Sequence, residues 1–285
     1  MIYAQVALDG LIVGLMFALV AMGLSLIYGI MDVVNFAHGE FLMIAMYASF
    51  FMWTYLGFDP LLSSPIIALC MFGFGVLIYR WLGRYLVGAT LIPQVFATFG
   101  LMVFMPAGAN FLWKADTRTL PENLSSGLFQ FGGLFFNVAE LVAAGGALAT
   151  ALLMFWFINR TETGLALQAT AEDQQAARLL GIDTDRMFAI AWGLSAATVG
   201  IGGVLLSTFY VINPLVGVKW VLPAFVAVAI GGFGSVLGAF YGGIIIGLIQ
   251  VGGGFFTSPN YKTLFAYGLF LLIVLVRPHG LMGRK

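Results

Sequence analysis

Residues 135–158, FFNVAELVAAGGALATALLMFWFI, lead into 160–186, RTETGLALQATAEDQQAARLLGIDTDR, and then into 187–211, MFAIAWGLSAATVGIGGVLLSTFYV. These three pieces decide the fold. The outer two are continuous apolar runs of the length a membrane-spanning helix needs, about 20 residues. They do not alternate polar with apolar residues, so they do not read as barrel strands. The middle piece is the least hydrophobic stretch of the chain and belongs outside the bilayer. Working outward, the same test selects 8–28, 36–56, 61–81 and 91–113 on one side. On the other side it selects a short run at 220–230, then 236–256 and 263–276. The expectation is an all-α polytopic membrane protein with eight to nine transmembrane helices, as one transmembrane domain over 1–285. The run 220–230 is a span, a half-helix or a re-entrant piece, because Gly231-Gly232-Phe233-Gly234 breaks it.

Composition agrees. Of 285 residues, 61% are hydrophobic and 8% charged, with a mean hydropathy of +1.03. A soluble domain carries about 25% charged residues, so cytosolic enzymes, secreted domains and disordered chains are excluded. Zero net charge gives no basic footprint for nucleic acid. The single cysteine, Cys70, lies in an apolar run, so there is no disulfide framework within the chain. No Lys or Arg precedes the first run, which is longer than a signal h-region, and no cleaved signal peptide is expected. Glycine, at 37 residues, is about twice its usual share.

Basic residues set the expected orientation. Arg80 and Arg84, then Arg160, Arg178 and Arg186, then Arg277, Arg284 and Lys285 fall on one side when nine spans are counted. That side is cytoplasmic, and the C-terminus with it. The other side holds Lys114, Arg118, Lys219 and Lys262, the first two diluted by Asp116 and Glu122. The N-terminus is outside with nine spans and inside if 220–230 does not cross.

The polar segment predicts a short helix over 171–180. Thr170-x-x-Asp173 is a capping-box-like start, Glu172 and Asp173 suit an N-terminus, and Arg178 suits the last turn. Gly181 closes it as a left-handed cap. Glu172, Asp173 and Gln175 form a polar side; Ala176, Leu179 and Leu180 form an apolar one. A helix lying on lipid is usually rich in Lys and Arg. This one is acidic and glutamine-rich, so a cytoplasmic protein partner is the favoured reading over an interfacial helix.

Candidates for a substrate path are fewer. Asn35 and His38 share a helix face, while Glu40 points elsewhere. They line a path or its gate, or else Asn35 caps the second span and His38 bonds a backbone carbonyl. Gly39 lies between them and Glu40. Gly234, Gly238 and Gly242 recur every four residues, and Gly243 pairs with Gly247, a spacing that suits close helix packing. The alternative is a broken helix at Gly231, Gly232 and Gly234 whose free backbone lines the path. Thr98, Gly100, Asn110 and Asn213 are lesser candidates. His38 and His279 are the two histidines, too far apart for a ligand cluster, so no metal is expected. There is no P-loop, no His-Glu-x-x-His and no Gly-x-Ser-x-Gly. The chain is therefore not read as an enzyme.

Several motifs together carry a resemblance. Tyr28-Gly29-Ile30 followed by Asn35-Phe36-Ala37-His38-Gly39-Glu40-Phe41 resembles the signature of the branched-chain amino acid (Liv-type) ABC importer permeases. So do Thr161-x-x-Gly164 with Ala169-Thr170-Ala171-Glu172-Asp173, and Ala177-x-Leu179-Leu180-Gly181-Ile182-Asp183-Thr184-Asp185-Arg186. Ala229-Ile230-Gly231-Gly232-x-Gly234-Ser235-x-x-Gly238 and the ending Arg277-Pro278-x-Gly280-Leu281-x-Gly283-Arg284 complete the set.

The resemblance implies a permease subunit in a bacterial inner membrane. It would form half of a path for small amino acids, most of all branched-chain or hydrophobic ones, with a second homologous permease in a heterodimer. Two cytoplasmic ATPase subunits would drive it and a periplasmic binding protein would deliver the substrate; no cofactor is implied. It also implies a coupling segment over about 160–186 that docks in an ATPase groove. Gly164, Thr170, Ala171, Glu172, Asp173, Ala176, Arg178, Leu180 and Gly181 carry that role. The chain departs from the family at Leu165 and Gln168, where basic residues are usual. The competing expectation is an ion-coupled secondary transporter or channel for a small polar solute. That would want ionisable groups deep in several spans, and Glu40 and Glu140 both fall near span ends.

Overall fold

The structure, a computed structural model, describes residues 1–120, 124–125, 127–277 and 280–283. Glu122, Pro278, His279, Arg284 and Lys285, named above, lie outside the described residues. Eleven helices follow in order: α1 (Ile2–Met31), α2 (His38–Leu56), α3 (Pro60–Trp81), α4 (Leu91–Trp113), α5 (Val138–Arg160), α6 (Glu162–Glu172), α7 (Gln174–Leu179), α8 (Thr184–Ser207), α9 (Val216–Gly231), α10 (Val236–Phe256) and α11 (Lys262–Val276). By length and composition, α1, α3, α4, α5, α8, α10 and the segment Pro259–Val276 are each suited to cross a bilayer. The fold is thus an all-α polytopic membrane architecture. The run at 220–230 is a 16-residue helix, α9, about 24 Å long.

Two expected boundaries are corrected. The span expected at 135–158 begins at Val138, because Phe135 and Phe136 belong to a hairpin of β1 (Leu128–Phe131) and β2 (Leu134–Asn137). Its turn is Gly132-Gly133, with φ of 59° and 79°, as a tight two-residue hairpin turn requires. The Asn137 side chain then caps α5 by accepting from the Ala139 N–H at 3.0 Å. The helix expected over 171–180 is instead two helices, α6 and α7, broken at Asp173.

The most buried spans are α1 and α8, with 83% and 78% of their apolar windows inside the bundle, against 6% for the segment carrying α11. Small residues let neighbours approach them closely. A Cβ placed on Gly243 of α10 would lie 2.3 Å from Ala18 Cα, and one on Gly247 would lie 2.2 Å from Gly14 Cα. Gly231 and Gly238 touch in the same way across the α9–α10 turn, at 2.1 Å. The close-packing reading of the glycine run therefore holds, and the helix also breaks there, at Gly232 (φ 104°) and Gly234 (φ 81°).

The packing has a reciprocal pattern. α1 packs on α10 and α3 packs on α8, while α2 meets α9. α1 ends, and α8 begins, at the end of the bundle occupied by α6 and α7. Before α2, Asn35 Oδ1 accepts from Ala37 N–H at 3.1 Å; before α9, Asn213 Oδ1 accepts from Leu215 N–H at 3.0 Å. Four residues beyond each asparagine stands a glycine, and the two glycines meet. A Cβ on Gly39 would lie 2.4 Å from Gly217 O, and one on Gly217 would lie 2.5 Å from Gly39 O. Two half-helices thus start within the bundle, N-terminus near N-terminus. Irregular backbone at such depth is tolerated where protein shields it, and Val33, Asn35 and Ala37 are fully buried.

Candidate functional site

The polar segment forms a tip at one end of the bundle. Thr161 turns the chain sharply out of α5: its Oγ1 donates to Phe157 O at 2.7 Å and accepts from Gly164 N–H at 3.0 Å. A Cβ on Gly164 would sit 2.2 Å from Phe157 O, so the Thr-x-x-Gly spacing is that of a corner with no room for a side chain. Gln168 donates to Ile158 O at 2.7 Å, satisfying a carbonyl left open at the end of α5. The neutral side chain at this position thus fastens the corner, and Leu165 is exposed.

The caps differ from those expected. Thr170 is buried inside α6 and donates to Ala166 O at 2.8 Å. Asp173 is the cap of α7, its Oδ1 accepting from Gln175 and Ala176 N–H at 2.8 and 3.0 Å. Gly181 closes α7 with φ 84°. Its N–H donates to Arg178 O and that of Ile182 to Ala177 O, both at 3.0 Å, the paired bonds of a Schellman ending.

The tip is tied to α1 and α8, and α8 is bonded in turn to α3. Gln174 donates to Ile30 O at the end of α1, at 3.4 Å. Arg178 Nε donates to Thr184 Oγ1 at the start of α8, at 2.8 Å, and Tyr79 OH of α3 donates to Asp185 Oδ1 at 2.5 Å. Leu167 and Ala177 face inward. Glu172, Asp173, Gln175, Ala176 and Arg178 are exposed, and Leu179 and Leu180 are 89% and 80% exposed. Two such leucines beside acidic groups make an exposed amphipathic surface.

A cavity of about 790 Å³ opens behind the tip. Tyr28 and Asp32 from the end of α1, Gln168 and Ala171 of α6, Gln174 of α7 and Gly234 of the α9–α10 turn line it. Ala171 and Gly234, predicted for different roles, therefore meet in one space. Gly234 packs on α1, where a Cβ on Gly29 would lie 2.7 Å from Gly234 O. Leu281 and Met282 fold back here and donate to Ile230 O and Gly231 O, both at 2.8 Å, capping α9.

The remaining path candidates are scattered. His38 is fully buried, with Nε2 3.0 Å from Val20 O and Nδ1 3.5 Å from Ser195 Oγ. Asn35 Oδ1 bonds Ala37 N–H in the turn before α2, whose N-cap, Ala37, makes no side-chain cap bond. Thr98 is buried and donates to Gln94 O at 2.8 Å. Gly100 lies on the open face of α4, with nothing within 4 Å of a Cβ, and Asn213 sits before α9 at the opposite end from the tip. Gly39 and Gly231 are packing contacts, and Gly232 is the turn.

Glu40, expected from its spacing to point elsewhere, is 0% exposed, and neither carboxyl oxygen has a hydrogen-bond partner among the described residues. Asn35 Nδ2 is likewise buried without one. Glu40 Oε1 faces the start of α9, 2.9 Å from where a Gly217 Cβ would be. The signal that would have flagged it is the repeat of Asn35 and Gly39 in Asn213 and Gly217.

A bundle of membrane-length helices with an exposed polar tip at one end and a cavity behind it is the architecture of a polytopic membrane protein, and its relatives place it among transport components. The profile of the family described as branched-chain amino acid transport system, permease component, matches residues 6–274. The chain belongs to that family. It is 34% identical to the high-affinity branched-chain amino acid transport system permease protein BraD of Pseudomonas aeruginosa, covering 99% of this chain and 96% of that one. It is 31% identical to the corresponding permease LivH of Escherichia coli K12, with the same coverage of 99% and 96%. No solved structure matches it significantly. As a permease component of an ABC importer, it works with ATPase and substrate-binding partners.

Proposed function

We propose that the chain is one permease subunit of an ATP-driven importer of branched-chain amino acids, paired with a second, homologous permease. The tip formed by α6 and α7 faces the cytoplasm, as does the C-terminus, and docks on one of two ATPase subunits. The observation that carries this reading is the exposed, pinned tip. Leu179 and Leu180 offer apolar anchors, Glu172, Asp173 and Arg178 offer charge, and the bonds to Ile30 and Thr184 join the tip to α1 and α8. A push on the tip therefore reaches the most buried spans directly. Nucleotide state shifts the balance of conformations through its differential grip on the tip. The cavity behind it, lined by Gly29 of α1 and Gly234 of the α9–α10 turn, is the part of the path that such a shift would widen or narrow. The ion-coupled alternative is not favoured by the family.

The test is uptake of labelled leucine into proteoliposomes holding both permeases and the ATPases, with the binding protein outside. Uptake should require enclosed ATP and proceed without an ion gradient. Uptake driven by a proton or sodium gradient in the absence of ATP would overturn the proposal.

A further inference from the structure

A second cavity, about 430 Å³, opens between α1, α9, α10 and α11. It lies at the other end of the bundle: Gln250, in its wall, is about 20 Å along α10 from Val236 in the first cavity. Its polar lining is unusual in sign. Lys219 and Lys262 bring two ammonium groups, and no Asp or Glu lines it. Gln250 is 7% exposed, and its side-chain amide makes no hydrogen bond among the described residues. Trp220 is also 7% exposed, and its indole N–H has no partner among the described residues. The indole is held in place by Phe17 and Tyr210, with ring centroids 5.1 and 5.6 Å away, so its ring forms a fixed apolar wall. A buried donor left without an acceptor costs free energy, and among the described residues nothing accepts from the Gln250 amide, which stands in the wall with the two ammonium groups.

Arg118, at the same end, shows the contrast. It donates to Trp113 O at 2.8 Å and stacks over Phe50 at 5.1 Å, so its charge is already absorbed. Lys219 and Lys262 have no ion pair or aromatic partner among the described residues. The rest of the wall is apolar, with Phe17 and Pro223 prominent. The volume is that of a small-molecule pocket, and its outer wall, α11, is the most exposed helix of the bundle.

We propose that this cavity binds an anionic head carried on an apolar body. Either an anionic phospholipid of the surrounding bilayer or a zwitterionic hydrophobic amino acid, entering carboxylate first, presents an anionic group on an apolar body. Only the amino-acid source rests on the importer reading; the donors argue for the site independently.

The test compares the intact permease–ATPase complex with its K219Q/K262Q and K219R/K262R variants. Both lysines are exposed, so neither change threatens the fold. Native mass spectrometry measures retention of dioleoylphosphatidylglycerol against dioleoylphosphatidylcholine, and equilibrium binding measures labelled leucine without the binding protein. The expected result is a ligand held by the wild type and the arginine pair and weakened about fivefold per lysine removed in the glutamine pair. Selective loss of phosphatidylglycerol assigns the lipid source; loss of saturable leucine binding assigns the amino acid. Equal retention of both lipids with no leucine binding would overturn the proposal. So would equal binding by wild type and glutamine pair.

Discussion

Glu40 and His38 stand two residues apart in one motif, yet their surroundings differ. His38 is hydrogen-bonded to Val20 O at 3.0 Å inside a packed core. His38→Ala leaves a void and removes that bond, which costs about 2–3 kcal/mol. A lowered thermal midpoint in detergent, with an unchanged KM for the molecules that fold, is the expected outcome; a changed KM would put His38 in the path. Glu40 has no such bond, and a polar group buried without a partner weakens the fold. Glu40→Leu should therefore match or exceed the wild-type midpoint while lowering uptake, because a costly group that persists is kept for activity. A variant less stable and equally active would refute this. Gly164 is a third case: with a Cβ position 2.2 Å from Phe157 O, Gly164→Ala overpacks the corner by about 1–3 kcal/mol. The same thermal melt would show it.

At the level of elements, the apolar runs were legible because burial in lipid demands them. The spans expected at 91–113 and 236–256 coincide with α4 and α10. The helix expected over 171–180 was misplaced because Thr170-x-x-Asp173 imitates a capping box. The real caps are Thr161 and Asp173, and Thr170 turns inward to bond Ala166 O. The hairpin was missed although Gly132-Gly133 announces it, since Phe135 and Phe136 extend the apolar count of α5. Of the coupling candidates, Glu172, Asp173, Ala176, Arg178 and Leu180 share the exposed side of the tip while Gly164 and Thr170 are buried within it, because charge in a membrane protein collects where the chain leaves the bilayer. The path candidates do not, because their polarity serves caps and buried bonds. Asp173→Asn retains a good capping residue and should preserve ATP-driven uptake. Glu172→Lys with Asp173→Lys reverses the charge of the tip and weakens the cap by about 1 kcal/mol. That pair should hydrolyse ATP without matching uptake in proteoliposomes, and normal coupling would remove the tip from the mechanism.

For the whole molecule, close helix packing explains what the chain does with much of its glycine. Small residues close the α1–α10 seam and the Gly39–Gly217 meeting of the half-helices, while others, such as Gly100, face open space. Gly247→Leu should abolish folded protein in membranes, since its Cβ would lie 2.2 Å from Gly14 Cα. Gly100→Ala should be tolerated, and size-exclusion yield separates the two. The central claim is that the tip is the place where the motor grips. Its most direct test is site-specific crosslinking of the assembled complex in a Cys70→Ser background, which removes the exposed native thiol. Leu180→Cys should crosslink to the ATPase subunit through a short bifunctional maleimide. Tyr55→Cys, 77% exposed near the far end of α2, should not. Absence of the adduct at 180, or an equal adduct at 55, would contradict the account.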